Sequence, residues 1–200
     1  MHVQILIYDG FDELDAVGPY EILHGAGFQT ELATLEPVET ITASHGTKLV
    51  PHATLAERPD LLLVPGGGWV HGEPTLGTRF EYDRGVIPAA IAERHRAGST
   101  VASVCTGAML LAKSGILDGR PATTHWGAMD DLRAYEGVDV HPEARVVDDG
   151  DVLTCGGVTS GLDLALHLVE RVHGPEAATF AARLLEHDRR QEVFARAATG

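Results

Sequence analysis

A cysteine at a break between two kinds of sequence carries the strongest chemical signal in this chain. In Thr100-Val-Ala-Ser-Val-Cys-Thr-Gly-Ala-Met-Leu-Leu-Ala112, an apolar run of strand type stops at Cys105. Gly107 follows, and a helix-type run begins at Ala108. The pattern predicts a strand, a sharp turn and a helix, with the thiol at the turn beyond the carboxyl end of the strand. A helix N-terminus behind the sulfur favours a thiolate. The same nucleophile elbow presents a serine in other α/β enzymes. The plainer alternative is a small buried cysteine that closes a core strand.

Other groups fall where they would meet that thiol. Pro65-Gly-Gly-Gly68, Cys105-Thr-Gly107 and Cys155-Gly-Gly157 are glycine turns at expected strand ends. Gly66, Gly67 and Gly68 either form a tight turn or bring backbone amides to developing negative charge, as in an oxyanion hole. Lysine and Ser/Thr do not follow them as in a phosphate-binding loop. Asp12 and Glu13 suit a helix start. Asp15, one turn further, is placed to face inward, where burial would raise its pKa and let it exchange protons with the thiol. His125 and Trp126 follow another expected strand and are candidates to line a pocket, as are Trp69 and Thr159. The remaining histidines are scattered, and neither HExxH nor CxxC occurs. Neither a catalytic metal nor a cofactor is expected. Cys155 is read as packing near the pocket floor.

The elements that must position these groups follow from periodicity. Val3 to Tyr8 and Leu61 to Val64 are apolar runs of the kind buried on both faces of a parallel sheet. Phe28 to Leu35 alternates as a strand, and Thr40 to Leu55 suggests a small hairpin or edge strand. Helices are predicted over Asp12 to Gly25, Arg84 to Gly98 and Gly127 to Tyr135, with a short strand at Arg120 to Thr124. Asp149-Gly150 between Arg145–Asp148 and Val152–Thr154 is a strong hairpin signal. Leu162, Ala165, Leu166 and Val169 give Ser160 to Val172 a core-facing stripe. Gly174 ends that helix and Pro175 opens the next. Strands alternating with helices predict a mostly parallel sheet with helices on both faces, with ligands beyond the carboxyl ends of its strands. Residues 1–188 read as one domain, and 189–200 as a charged, Ala-rich C-terminal tail.

The bulk composition excludes several functions. Twenty-nine acidic residues against 15 Lys plus Arg give a formal charge of −14, which disfavours binding to nucleic acid. No apolar run reaches the roughly 18 residues of a membrane helix. The start Met-His-Val-Gln-Ile-Leu-Ile lacks the basic and small-residue pattern of a secretory signal. With only two cysteines, a cytoplasmic protein with reduced thiols is expected.

Five segments together resemble the ThiJ/PfpI superfamily, and within it the isonitrile hydratase-like branch. They are Phe11 to Pro19, Leu63 to Gly68, Ala102 to Ala108, Ala122 to Trp126 and Gly156 to Asp163. The resemblance implies a flavodoxin-like three-layer sandwich (class I glutamine amidotransferase-like), usually dimeric, with a strained elbow at Cys105. It makes Cys105 the nucleophile and Asp15 its acidic partner. Thr106 matches the threonine after the cysteine, and the Gly67 and Thr106 amides would form the oxyanion-type hole. The PfpI-type peptidases carry histidine where Thr106 stands, so the pair that generates a thiolate by proton transfer is missing there.

The resemblance therefore implies hydration of small-molecule isonitriles to N-substituted formamides through a thioimidate on Cys105. Asp15 would act as general acid and base, and Thr106 would place the water or the nitrogen. Two alternatives stay open. One is a ligand-sensing domain related to AraC-type regulators. The other is glyoxalase-like, deglycase-like or oxidative-stress thiol chemistry. Fold alone does not choose among them.

Overall fold

The computed structural model describes residues 1–70 and 75–195. The chain opens with strand β1 (His2–Leu6), helix α1 (Glu13–Gly25) and strand β2 (Gln29–Thr34). Asp12 caps α1 by accepting the Leu14 amide at 3.1 Å. A short antiparallel pair, β3 (Ile41–Thr42) and β4 (Lys48–Leu49), precedes β5 (Ala53–Thr54) and β6 (Leu61–Val64). Next come α2 (Gly77–Arg84), α3 (Val86–Arg96), β7 (Thr100–Ser103) and α4 (Gly107–Lys113). They are followed by β8 (Pro121–Ala122), α5 (Met129–Arg133), β9 (Asp139–Val140), β10 (Val146–Asp148) and β11 (Val152–Cys155). Helices α6 (Ser160–His173) and α7 (Pro175–Leu184) and strand β12 (Val193–Ala195) complete it.

Eight strands form one sheet in the order β12-β10-β11-β7-β6-β1-β2-β5. All its neighbours are parallel except the β10–β11 hairpin. Helices α1, α6 and α7 pack together on one side and α2, α3 and α4 on the other, a flavodoxin-like sandwich. The apolar runs explain why. All four residues of β6 are fully buried, each leucine contributing about 1.5–3 kcal/mol relative to exposure. The central strands β1, β6, β7 and β11 end at the edge where α1, α4 and α6 begin, which is what assembles a site there.

Several expectations change. The segment 120–124 makes only the two-residue β8, which pairs with β9 outside the main sheet. The expected helix over 84–98 is α3, and a further helix, α2, precedes it, separated by Gly85 at φ +74°. The boundary at 188 is not a break in the fold. Val193–Ala195 pairs with β10 as the edge strand, and the Arg190 amide donates to buried Asp163 at 3.0 Å. Residues 196–200 of the expected tail lie outside the described residues. No helix among the described residues is long and apolar enough to cross a membrane.

Candidate active site

Cys105 adopts φ +56°, a left-handed conformation rare for a residue with a side chain and costing about 1–3 kcal/mol. The surrounding bonds hold it there. The Val104 amide donates to Val64 O, the Cys105 amide to Gly156 O (both 3.0 Å), and the Thr124 hydroxyl to Cys105 O at 2.9 Å. A Cβ on Gly107 would lie 2.3 Å from Val64 O, so only glycine lets α4 start this close to β6. The glycine after the cysteine is thus a packing requirement of the elbow.

Asp15, fully buried, comes from the first turn of α1. One carboxyl oxygen, Oδ2, accepts the Gly66 amide at 2.9 Å. The Cys105 thiol is close enough to act on the carboxyl's ionisation, but Oδ1 has no well-aligned hydrogen-bond partner. Burial, followed by the charge of Asp12, holds the Asp15 pKa well above the ordinary carboxylate range. That favours the neutral acid, whose proton can point from Oδ1 toward the sulfur.

Burial works against the thiolate that the helix N-terminus favours. Cys105 is 5% exposed, and burial, with the nearby Asp15 charge, pushes its pKa up to about 12. The Val158 and Thr106 amides pull it down only in part. A neutral Asp15 removes the repulsion between the two groups but leaves the cost of burial, and α4 is only seven residues long. Both shifts run toward the protonated forms, so burial favours a thiol beside a carboxyl group over a thiolate beside a carboxylate. Cys155 is fully buried, and burial raises its thiol as well.

The glycine loop is used differently from the expected hole. The Gly66 amide is engaged by Asp15, and the Gly67 amide donates to the Thr106 hydroxyl at 3.0 Å. That hydroxyl also approaches Thr78 Oγ1 at 3.4 Å, and Thr78 in turn meets the buried Tyr8 hydroxyl at 3.0 Å. Thr106 therefore ties the loop to the elbow. The amides directed at the sulfur are those of Thr106 and Val158. Val158, at φ +38°, was not singled out by sequence reasoning, although the Gly156-Gly157 turn marks its neighbourhood. Gly68 lines the cleft.

Cys105 opens on a cleft of about 470 Å³, walled by Asp12, Ala43, His45, Trp69, His125 and Val158 among others. A larger hollow of about 760 Å³ lies between the end of β1 and helices α2 and α3, away from the thiol. His125 Nδ1 accepts the Gly127 amide at 3.1 Å, which assigns the proton of the neutral ring to Nε2. Its pKa is lowered by burial. Trp126 is 81% exposed and borders a neighbouring hollow, so it does not line the Cys105 cleft. His125 caps the following 3₁₀ turn, and that turn carries the indole outward. Thr159 is exposed and accepts from Arg145 at 3.1 Å, also outside the cleft. The described residues contain no group of three or more His, Cys, Asp or Glu side chains able to hold a metal ion.

A strained cysteine at a strand-to-helix elbow, faced by a buried acid from the first helix, defines a class of thiol-bearing α/β domains. The chain belongs to the DJ-1/PfpI family, whose model matches residues 1–171. It is 32% identical to isonitrile hydratase of Pseudomonas putida over 94% of this chain and 78% of that protein. It is also 32% identical to the HTH-type transcriptional regulator CdhR of Pseudomonas aeruginosa, over 86% of this chain but 51% of the regulator. In structure it is similar to a ThiJ/PfpI family protein from Pseudomonas syringae. That match has a TM-score of 0.82 and 28% identity, covering 100% of this chain and 79% of the other.

Proposed function

We propose that this protein hydrates isonitriles, R–N≡C, to N-substituted formamides, with Cys105 as nucleophile and Asp15 as general acid and base. The observation that carries this reading is the buried Asp15 carboxyl, held by the Gly66 amide with Oδ1 unpartnered next to Cys105, together with threonine rather than histidine after the cysteine. A thiolate-generating pair suits attack on an amide. A thiol and an acid that exchange a proton suit addition across a terminal isonitrile carbon, which must gain both a sulfur and a hydrogen.

Asp15 gives its proton to that carbon as the sulfur attacks, and takes up the thiol proton. The product is the thioimidate R–N=CH–S–Cys105. Water then adds to the C=N carbon. Its proton passes to Asp15 and the nitrogen receives one, giving R–NH–CH(OH)–S–Cys105. Breaking the C–S bond returns the hydrogen to sulfur and releases R–NH–CHO. The Thr106 and Val158 amides lie where charge on sulfur develops, and each proton-transfer role of this kind is worth about 10²–10⁴-fold. In this reading Thr106 and Gly66 to Gly68 hold the elbow and the acid in register, and His125 borders the substrate.

The similarity to isonitrile hydratase supports the same reading. The test is formamide production from alkyl and aryl isonitriles, followed by NMR, in wild type, Cys105→Ala and Asp15→Asn. Turnover by Cys105→Ala would end it. The partial match to CdhR supports a second reading, a ligand-sensing domain, for which saturable binding without turnover is the expected result. Methylglyoxal turnover, or sulfinic acid at Cys105 after mild peroxide, would instead favour deglycase-like or oxidative-stress chemistry.

The expected assembly is a homodimer in a reducing, cytoplasmic setting. Phe180 and Leu184 of α7 stand 62% and 69% exposed, and both cysteines are free. Sedimentation as a 21.3 kDa species would overturn the dimer.

A further inference from the structure

We propose that Trp69, fixed in place by Arg79 and Asp131, is the residue that selects the group R carried by the substrate. For the reaction this rests on the isonitrile reading. For binding it stands on the cleft alone.

Trp69 directly follows Gly66 to Gly68 and walls the cleft that contains Cys105. It is 6% exposed. Three contacts from two helices hold the indole. Its N–H donates to Asp131 of α5 at 2.6 Å. The Arg79 guanidinium of α2 lies 3.6 Å from the ring centroid, and its Nη2 donates to the same Asp131 at 3.3 Å. Tyr82 packs edge-to-face, with centroids 5.3 Å apart and planes at 85°. The carboxylate satisfies the one polar atom of this buried indole. Here the carboxylate also orients the cation against the ring. The result is an aromatic wall whose rotation would break a hydrogen bond and a cation–π contact together.

Such a wall discriminates by shape. A flat ring gains offset or edge contacts with an indole, whereas a straight chain must give up rotamer freedom to lie against it. Ala43, Val70 and Leu76 add apolar surface beside Trp69, while His45 and His125 add polar edges, and Asp12 is the acidic group among the described lining residues. Among the described lining residues there is no Lys or Arg, and the His45 ring is already engaged by Glu13, so an anionic group meets no uncommitted cation there. The structure assigns to Trp69 a preference for uncharged, ring-bearing R groups.

The test compares benzyl with n-heptyl isonitrile, whose R groups both have seven carbons, in wild type, Trp69→Phe, Trp69→Leu, Asp131→Asn and the surface control Trp126→Phe. Wild type should favour the benzyl compound. Trp69→Leu should lower the benzyl-to-heptyl ratio of kcat/KM about tenfold, with the change falling in KM more than in kcat. Trp69→Phe and Asp131→Asn should lower it by less, and Trp126→Phe should leave it where it was. An unchanged ratio in a folded Trp69→Leu protein would overturn the assignment.

Binding supplies the second measurement. In a Cys105→Ser, Trp126→Phe protein, Trp69 is the sole tryptophan. N-Benzylformamide should quench or shift its emission saturably, and N-heptylformamide more weakly. No response to either compound overturns the inference even if isonitriles are turned over. A response from a protein whose wild type hydrates no isonitrile keeps the inference and ends the reaction reading.

Discussion

Asp15 and Gly66, 51 residues apart in sequence, are joined by a 2.9 Å hydrogen bond from the glycine amide to one carboxyl oxygen. That bond sets the orientation of the acid. With Oδ2 committed to the loop after β6, Oδ1 is left over for the thiol at the end of β7. Two neighbouring strand ends and one helix thus determine where a single proton can sit. A Cβ on Gly66 would lie 2.5 Å from both the amide nitrogen and the hydroxyl of Thr106, so the loop could not approach the elbow with any other residue there.

Asp15→Asn tests the acid in two independent ways. The amide oxygen can still accept from Gly66, so the fold should persist while turnover falls by about 10²–10⁴-fold. Stability should move the other way. The folded pKa of Asp15 lies above its unfolded value. Its stabilising contribution is thus complete below about pH 3.9 and is lost as pH rises through the folded value. Thermal unfolding followed against pH should show the variant more stable than wild type at neutral pH, with the advantage vanishing in acid. Equal slopes for the two proteins would mean that Asp15 is not held neutral. Wild-type activity should likewise decline as pH rises and Asp15 ionises.

Cys105→Gly and Cys105→Ala lose the same thiol and differ in backbone freedom. At φ +56°, alanine retains the left-handed cost and glycine does not, so the glycine variant should be more stable by about 1 kcal/mol. Both should be inactive. Urea unfolding gives the comparison directly, and an alanine variant equal or superior to glycine would show that the elbow carries no strain. The raised thiol has a separate signature. Alkylation of wild type by iodoacetamide should be slow at neutral pH and keep climbing toward about pH 12, instead of levelling off near neutrality as a low-pKa thiolate would.

The parts of this site legible in the sequence are those set by local rules. Cys105 before Gly107 marks an elbow because a strand-type run gives way to a helix-type run there. The place of Asp15 in the first turn of α1 makes it only a candidate, its pairing with Cys105 being what the family resemblance implies, while Gly66 to Gly68 follow from a core strand that ends abruptly. What stayed hidden depends on contacts between distant segments. The upward shift of the Cys105 thiol is a burial effect, which depends on the segments packed around it and not on its own sequence. The direction of Trp126 is set by His125 capping the turn beneath it. Strand β12 has no strong apolar alternation of its own and exists because β10 offers it an edge. Helix α2 has a mostly polar sequence, and its buried positions become visible only against α3 and α4.

Gly157→Ala isolates the histidine wall of the cleft. An added Cβ would sit 2.4 Å from His125 Cδ2, so the ring must turn away while the elbow is left alone. The expected outcome is a rise in KM with Cys105 still open to alkylation. Gly107→Ala places its Cβ 2.3 Å from a backbone carbonyl, which cannot rotate aside, and should lower stability by about 3 kcal/mol or more. Measuring KM and unfolding on both variants separates a site glycine from a structural one. The same response from both would contradict this division.

Glu13 and His45 control the far wall. Glu13 accepts from the His45 amide at 2.9 Å and meets His45 Nδ1 at 2.7 Å, which fastens the Ala43–Thr47 turn against α1 beside the cleft. Burial works to raise the Glu13 pKa. The His45 ring and nearby amides outweigh it and bring it down to about 2, while the bond to Glu13 raises that of His45. The signs are opposite. Glu13's contribution is present above its unfolded pKa of about 4.3 and is lost as pH falls through about 2. The His45 contribution is present below about pH 6.5 and is lost as pH rises through its raised folded value. The pair should therefore tie down the turn best between about pH 4.3 and 6.5. Glu13→Gln should increase KM and reduce stability most in that window, with a smaller difference from wild type at pH 2 and at pH 9. A penalty that is the same at every pH would show that the turn is held by its backbone bonds alone.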